Sequence, residues 1–133
     1  MTIKEVSEKY GIPQGTLRYY EKVGLIPHVT RSSGGIRNYQ ESDLGWVELA
    51  KCMRGAGLSV EMLLEYVKLY QQGDSTIEAR LDLLKDQRSI LLKQKSQVEA
   101  ALNRLDYKIS KYEEAVKTGE LNWDEDDENC PRP

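Results

Sequence analysis

Between Thr76 and Gly119 the chain has no proline or glycine, and its apolar residues recur at alternating spacings of four and three. Ten of the twelve positions on this repeat, which extends over six heptads, are apolar. Such a pattern predicts one coiled-coil helix, about 65 Å long at a rise of roughly 1.5 Å per residue. We call the ten apolar positions the seam; they are Ile77, Leu81, Leu84, Leu91, Val98, Leu102, Leu105, Ile109, Tyr112 and Val116.

No other predicted element is long enough to cover the seam. Because a helix with an apolar stripe is stabilised mainly by burying that stripe, the seam predicts that the chain forms a homodimer. The predicted dimer contacts are the aliphatic seam residues from Ile77 to Ile109. Arg88 and Lys95 are the two polar exceptions, and both fall near the middle of the helix.

Two short helices are predicted at the N-terminus. Thr2 and Glu5 form a capping box that begins the first helix, and Gly11 ends it. Pro13 suits the first turn of a second helix, which ends before Gly24. Two short helices joined by a tight turn predict a helix-turn-helix.

A small hairpin is predicted next. Gly34-Gly35 favours a tight turn, and the residues on either side, Val29-Thr30 and Ile36–Tyr39, favour short extended arms. A hairpin that directly follows a helix-turn-helix is a wing.

Two more helices and an acidic end complete the predicted organisation. Ser42 is the predicted cap of a third helix that runs to about Ala56, and Ser59 caps a fourth that runs to about Gln72. The fold class is therefore mostly α. The predicted parts are a winged helix-turn-helix domain at 1–72, a coiled-coil dimerisation helix at 73–119 and an acidic tail at 120–133.

Charge is distributed unevenly along the 133 residues. Residues 1–40 carry six Lys or Arg against three Glu, whereas residues 120–133 carry one Arg against six acidic residues. A basic N-terminal region favours an anionic partner.

The chain has no apolar run that could span a membrane, no signal-peptide pattern, and two cysteines without a CxxC spacing. We therefore expect a cytoplasmic protein that does not associate with membranes.

Double-stranded DNA is the anionic partner that the pattern favours. The second helix has more cationic and hydrogen-bonding side chains than a core helix uses, and the wing has an arginine at each end. Arg and Gln can bond base edges, whereas Thr, Tyr and Lys suit phosphates. The candidate residues are Gln14, Thr16, Arg18, Lys22, Arg31 and Arg37.

One alternative stays open at this point. The two N-terminal helices could be an ordinary helical corner, and the chain a coiled-coil adaptor whose N-terminal domain binds protein. The adaptor hypothesis predicts no salt-dependent binding to duplex DNA.

The motifs "TLRYYEKVGLIP", "R…GGIRNY" and "GLS" resemble the MerR family of bacterial transcription regulators. The resemblance extends from Thr2 to about Gln72, and a following coiled coil fits the family layout. It implies an antiparallel coiled-coil homodimer that binds a pseudo-palindromic operator, distorts promoter DNA and works with RNA polymerase. By resemblance, the DNA-binding residues are Gln14, Thr16, Arg18 and Tyr19 on the recognition helix, and Arg31, Arg37 and Tyr39 in the wing.

No metal, cofactor or catalytic site is predicted. Metal-sensing members of that family carry cysteines at the start of the long helix, whereas the equivalent stretch here, "GDSTIEAR", has no Cys or His. The chain has one histidine, no glycine-rich phosphate loop and no Cys–His pair, so we expect no enzyme activity. The fourteen residues after Gly119 are too few to form a separate effector domain.

Cys52 is the candidate sensor residue. On a helical wheel it falls at the edge of an apolar face made by Trp46, Leu49, Ala50, Met53 and Ala56. Packing as a small hydrophobe is one interpretation. The other is a reactive thiol, because "AKCMRGAGLS" resembles the aldehyde- and thiol-stress branch of the family (AdhR/NmlR-like). Cys130, in the acidic tail, serves as the comparison.

Overall fold

The computed structural model describes residues 1–124, and within them the regular structure is helical with no strand. The helices and their bounds are α1 (Ile3–Tyr10), α2 (Gln14–Val23), α3 (Glu41–Gly55), α4 (Val60–Gln71) and α5 (Ile77–Thr118), with a single 3-10 turn at Asp74–Thr76. Both the mostly α fold class and the long C-terminal helix predicted from the sequence are confirmed.

Local capping determines the ends of α1 and α2. The Thr2 hydroxyl accepts a hydrogen bond from the backbone N–H of Glu5, and the Glu5 carboxylate accepts from Thr2, which is the predicted capping box. Gly11 and Gly24 follow the two helices with φ of 68° and 88°. Because other residues rarely adopt positive φ, these glycines end the helices where the sequence predicts.

The start of α3 differs from the prediction. Ser42 lies inside the helix, and Gln40 is the cap residue. The Asp43 carboxylate accepts a hydrogen bond from the Gln40 N–H at 2.8 Å and one from the Thr30 N–H at 3.4 Å. Asp43 therefore fixes the helix start and the arm of the wing together, a role that a pattern search for Ser or Thr caps does not find.

The wing is a tight loop and not a two-stranded ladder. One antiparallel bridge pairs Arg31 with Arg37, and the Ser32 N–H donates to the Ile36 carbonyl at 2.8 Å. Gly35 has φ of 76°, so the predicted glycine turn is present. Both arms are anchored in the core, because Val29 and Tyr39 are buried.

The hydrophobic core lies in the N-terminal compact unit, Met1–Gln87. α1 packs against α2 and α3, and α3 packs against α4. The most deeply buried apolar side chains of this core are Val6, Leu17, Leu25, Ile26, Tyr39, Val47, Leu58, Leu63 and Val67. They come from every helix before α5 and from the wing, so the core holds these helices and the wing in one body.

The start of α5 belongs to the same unit. Leu83 is part of the core, and the buried Gln87 amide donates to the Ala56 carbonyl at the end of α3 at 3.3 Å. The compact unit thus extends to Gln87, beyond the boundary predicted after Gln72. Leu84, a predicted seam residue, is half-buried.

The second unit comprises Arg88–Pro133, of which residues 88–124 are described. Beyond Gln87 the seam residues of α5 are all exposed in the single chain, from 39% for Leu91 to 85% for Val116. After Gly119 the chain turns back, and Trp123 packs against Tyr107 and Tyr112. Cys130 lies outside the described residues. Within residues 1–124 no helix is long and apolar enough to cross a membrane.

Candidate nucleic-acid interface

The two faces of α2 have different roles. Leu17 is fully buried and Tyr20 nearly so, whereas Arg18 and Tyr19 point outward, with Tyr19 48% exposed. Gln14 and Thr16 are half-buried, and the Gln14 side chain accepts a 3.4 Å hydrogen bond from Arg18. Thus α2 presents its cationic, amide and aromatic groups on a face that the core does not use.

The wing brings its two arginines together. Because Arg31 and Arg37 pair across the bridge, their side chains come from neighbouring points on the loop. A terminal nitrogen of Arg31 donates to the Gly35 carbonyl at 3.1 Å, which holds that side chain along the turn. Arg31 is exposed, and Arg37 is half-buried.

Glu21 on α2 joins the helix to the wing. Its Oε1 accepts from Arg37 Nε at 2.7 Å and lies 3.6 Å from a terminal nitrogen of Arg31. Its Oε2 accepts from the Val29 N–H at 3.1 Å. Burial alone raises the pKa of Glu21, but the hydrogen bonds from Arg37 and Val29 and the attraction of both guanidinium groups outweigh it. The net effect holds the pKa below its usual range, so the carboxylate stays charged.

An open cleft of about 580 Å³ lies between α2 and the wing. Glu21 is the acidic side chain that the described part of the chain contributes to its lining. The cationic side chains that line it are Arg18, Lys22, Arg31 and Arg37. Four cations against one carboxylate give the cleft a positive charge, as a DNA backbone requires.

Tyr39 does not belong to the exposed surface of the wing. It is 2% exposed, and among residues 1–124 no hydrogen-bond partner is found for its hydroxyl group. Burial raises the pKa of the phenol. The resemblance placed Tyr39 at the DNA, but the side chain is a core residue beneath the wing, because both arms of the loop need an apolar anchor.

Cys52 lies on the exposed side of α3, which corrects the prediction that it sits at the edge of a packed face. The buried stripe of α3 is Asp43, Val47 and Ala50, with Trp46, Leu49 and Met53 only half-buried. At about 100° per residue, Cys52 is roughly opposite that stripe. An adduct on this thiol therefore does not wedge into the core of its own chain.

Glu21, Asp43 and Gln87 are the polar residues that sequence analysis missed. A signal exists for Glu21, because it follows the buried Leu17 by one helical turn and so lies on the inner face of α2. A carboxylate on an inner face requires a cationic partner.

Within residues 1–124 no cluster of three His, Cys, Asp or Glu could hold a metal ion.

The chain is similar to known regulatory proteins of one family. The model of the MerR HTH family of regulatory proteins matches residues 1–69. The transcriptional regulator AdhR of Bacillus subtilis (strain 168) is 52% identical over 92 residues, which are 69% of this chain and 66% of AdhR.

Two solved structures are also similar. A Listeria monocytogenes protein assigned to the MerR family of transcriptional regulators is 43% identical with a TM-score of 0.79, over 90% of both chains. HiNmlR, a MerR family regulator that lacks the sensor domain and was crystallised on promoter DNA, is 34% identical with a TM-score of 0.72, over 90% of this chain and 95% of its own. The chain therefore belongs to the MerR HTH family of regulatory proteins, as its sequence motifs predict.

Proposed function

We propose that the chain is a sequence-specific transcriptional regulator that binds double-stranded promoter DNA in the cytoplasm. The observation that carries this proposal is the cationic cleft between α2 and the wing, with the Arg18 face of α2 beside it. A helix of this size fits the major groove, and arginines beside it suit the phosphates. The similarity to HiNmlR, which binds promoter DNA, supports the same function.

The proposed active form is a homodimer joined by an antiparallel coiled coil of α5. The exposed seam supports this arrangement, because apolar side chains in a long stripe are stabilised when a second copy covers them. Two copies present two recognition helices, which matches a pseudo-palindromic operator. Distortion of the promoter by the bound dimer then presents both promoter elements to RNA polymerase, with deformation energy acting as the switch.

The test is an electrophoretic shift with the duplex promoter DNA next to the coding sequence, followed by footprinting. We expect a dimer to protect two half-sites and affinity to fall steeply as salt rises, since each phosphate contact releases counterions. A scrambled duplex of equal length is the control. Binding that is absent, or that does not depend on salt, would favour the protein-binding adaptor instead.

We propose further that electrophiles such as aldehydes act on the regulator through Cys52. The exposure of the thiol and the 52% identity to AdhR support this role. Cys52 lies one turn before Ala56, whose carbonyl accepts the hydrogen bond from Gln87 of α5. An adduct at Cys52 would therefore act next to the contact between α3 and the long helix, and a small strain there can shift a two-state dimer.

A reporter gene under the cognate promoter tests the thiol. Cys52→Ala should keep operator binding and lose the response to aldehyde, whereas Cys130→Ala, in the acidic tail, should respond as the wild type does. A full response from the Cys52 variant would show that this thiol is not the sensor.

A further inference from the structure

We propose that Glu21 is a positioning residue, which aims the guanidinium of Arg37 at a backbone phosphate seated in the cleft between α2 and the wing. The inference rests on the proposed DNA binding and adds a residue that does not itself touch DNA. It concerns how the wing is held in register with the recognition helix.

The geometry around Glu21 supports a positioning role. Its side chain is only 6% exposed, so its partners cover most of the carboxylate. One oxygen accepts from Arg37 on one arm of the wing, and the other accepts from the Val29 backbone on the opposite arm. A single side chain of α2 thus fixes both arms of the loop.

The contact leaves Arg37 able to bind an anion. Glu21 uses the Nε hydrogen of Arg37, and a guanidinium group has five N–H donors in a fixed fork. Because Nε of Arg37 lies 2.7 Å from Oε1 of Glu21, the orientation of the planar guanidinium group is fixed before DNA binds. Ordering a flexible arginine in advance removes part of the entropy cost of binding.

Charge balance decides whether the carboxylate helps or hinders. A bare carboxylate near DNA repels phosphate, but Arg31 and Arg37 both lie within 4 Å of Glu21, so the three groups together carry one net positive charge. The opposing hypothesis is that Glu21 acts only as a counter-charge, which weakens DNA binding. The two hypotheses predict opposite effects of removing the carboxylate.

Fluorescence anisotropy with the promoter duplex, measured at several salt concentrations on full-length variants, distinguishes them. We expect Glu21→Ala to weaken binding by about 10-fold or more and to lower the salt slope by about one per half-site, as loss of one phosphate contact requires. The double variant Glu21→Ala/Arg37→Ala should bind no more weakly than Arg37→Ala alone. Such non-additivity shows that Glu21 acts through the arginine.

Two further variants complete the test. Glu21→Gln keeps an acceptor for Arg37 but places a donor opposite the Val29 N–H, so it should bind with an affinity between wild type and Glu21→Ala. Glu8→Ala removes the same charge from an exposed site on α1 and should bind within about 2-fold of wild type. If thermal melting shows that Glu21→Ala is unfolded, the test rests on Glu21→Gln. Binding weaker than wild type then supports the positioning role, and binding that is equal or tighter contradicts it.

The outcomes separate this inference from the proposed function. If the wild type binds DNA and Glu21→Ala binds equally well or more tightly, the positioning role is wrong and DNA binding stands. Additive losses from the Glu21 and Arg37 substitutions would also overturn it. If the wild type itself shows no salt-dependent DNA binding, the proposed function and this inference both fail.

Discussion

Helix α5 has two kinds of apolar side chain: those that the N-terminal unit covers, which end before Gln87, and the seam, which is largely exposed on both sides of that residue. Before this residue Leu83, which lies off the seam, is 8% exposed because the core of the N-terminal unit covers it, whereas the seam residue Ile77 is 56% exposed. After it Val98 and Leu105 are 59% and 58% exposed, although they belong to the same helix and the same residue class. The core of one chain thus covers the inner face at the start of α5, whereas in the proposed homodimer another molecule would cover the seam.

The difference shows which parts of the protein can function alone. A compact core keeps α2 and the wing in fixed register, so the proposed DNA-facing surface is complete in each copy. In the proposed homodimer a second copy would cover the seam, and dimer formation would then determine how many such surfaces act together. Substitutions in the two regions should accordingly affect different measurements.

The largest effect is expected from Leu102→Asp. Leu102 is a seam residue, exposed in the single chain, and in a coiled coil its replacement would bury a carboxylate among apolar partners. We expect the dimer to dissociate to monomers at micromolar concentration, with a loss of several kcal/mol of association free energy. Analytical ultracentrifugation measures the change, and operator affinity should fall with it.

Gln97→Asp is the matched control for that experiment. Gln97 is exposed on α5 but lies off the seam, so the same new charge should leave the dimer intact. A Leu102→Asp protein that remains a dimer, or a monomer that still binds the full operator tightly, would contradict the proposed arrangement.

Leu17→Ala and Tyr19→Ala test the N-terminal unit from inside and outside. Leu17 is completely buried, so its truncation should lower the free energy of unfolding by about 2–5 kcal/mol. Tyr19 lies on the open face of α2, and its truncation should change stability by less than about 0.5 kcal/mol while weakening DNA binding. Urea unfolding followed by circular dichroism compares the two. Equal losses of stability would mean that α2 has no free face.

Arg18→Ala addresses the recognition face directly. If Arg18 contacts a base edge or phosphate, its loss should cost about 1–3 kcal/mol of DNA-binding free energy per half-site. Lys51 is an exposed cation on α3 that does not line the cleft, so Lys51→Ala should have little effect on DNA-binding free energy. Titration calorimetry with cognate duplex measures both. Equal losses in the two variants would assign DNA affinity to overall charge and not to the cleft.

The features that sequence analysis predicted correctly depend on local chemistry. The Thr2–Glu5 capping box and the glycines at 11 and 24 determine helix ends through contacts within a few residues. The heptad pattern of α5 is also local, since it depends on the geometry of one helix. These signals require no knowledge of what packs against them, so they can be read from one sequence.

The features that were missed depend on residues distant in the chain. Glu21 pairs with arginines in the wing, and Gln87 reaches the end of α3. Cys52 was misplaced because a helical wheel counts apolar residues on α3 but does not show which stripe α4 and the wing cover. Tyr39 was assigned to the DNA contact by resemblance, and a family motif does not show whether a side chain in the wing is an anchor in the core or a contact at the surface.

Tyr39→Phe gives the smallest expected change and distinguishes anchor from contact. The hydroxyl of Tyr39 is buried, and no hydrogen-bond partner is found for it among the described residues, a situation that costs roughly 1–3 kcal/mol. Removing the hydroxyl and keeping the ring should therefore raise the free energy of unfolding, by about 1 kcal/mol, and leave DNA affinity unchanged. Thermal melting and anisotropy on the same samples measure the two quantities. If DNA affinity falls while stability is unchanged, Tyr39 reaches the phosphate after all, and the wing must open to expose it.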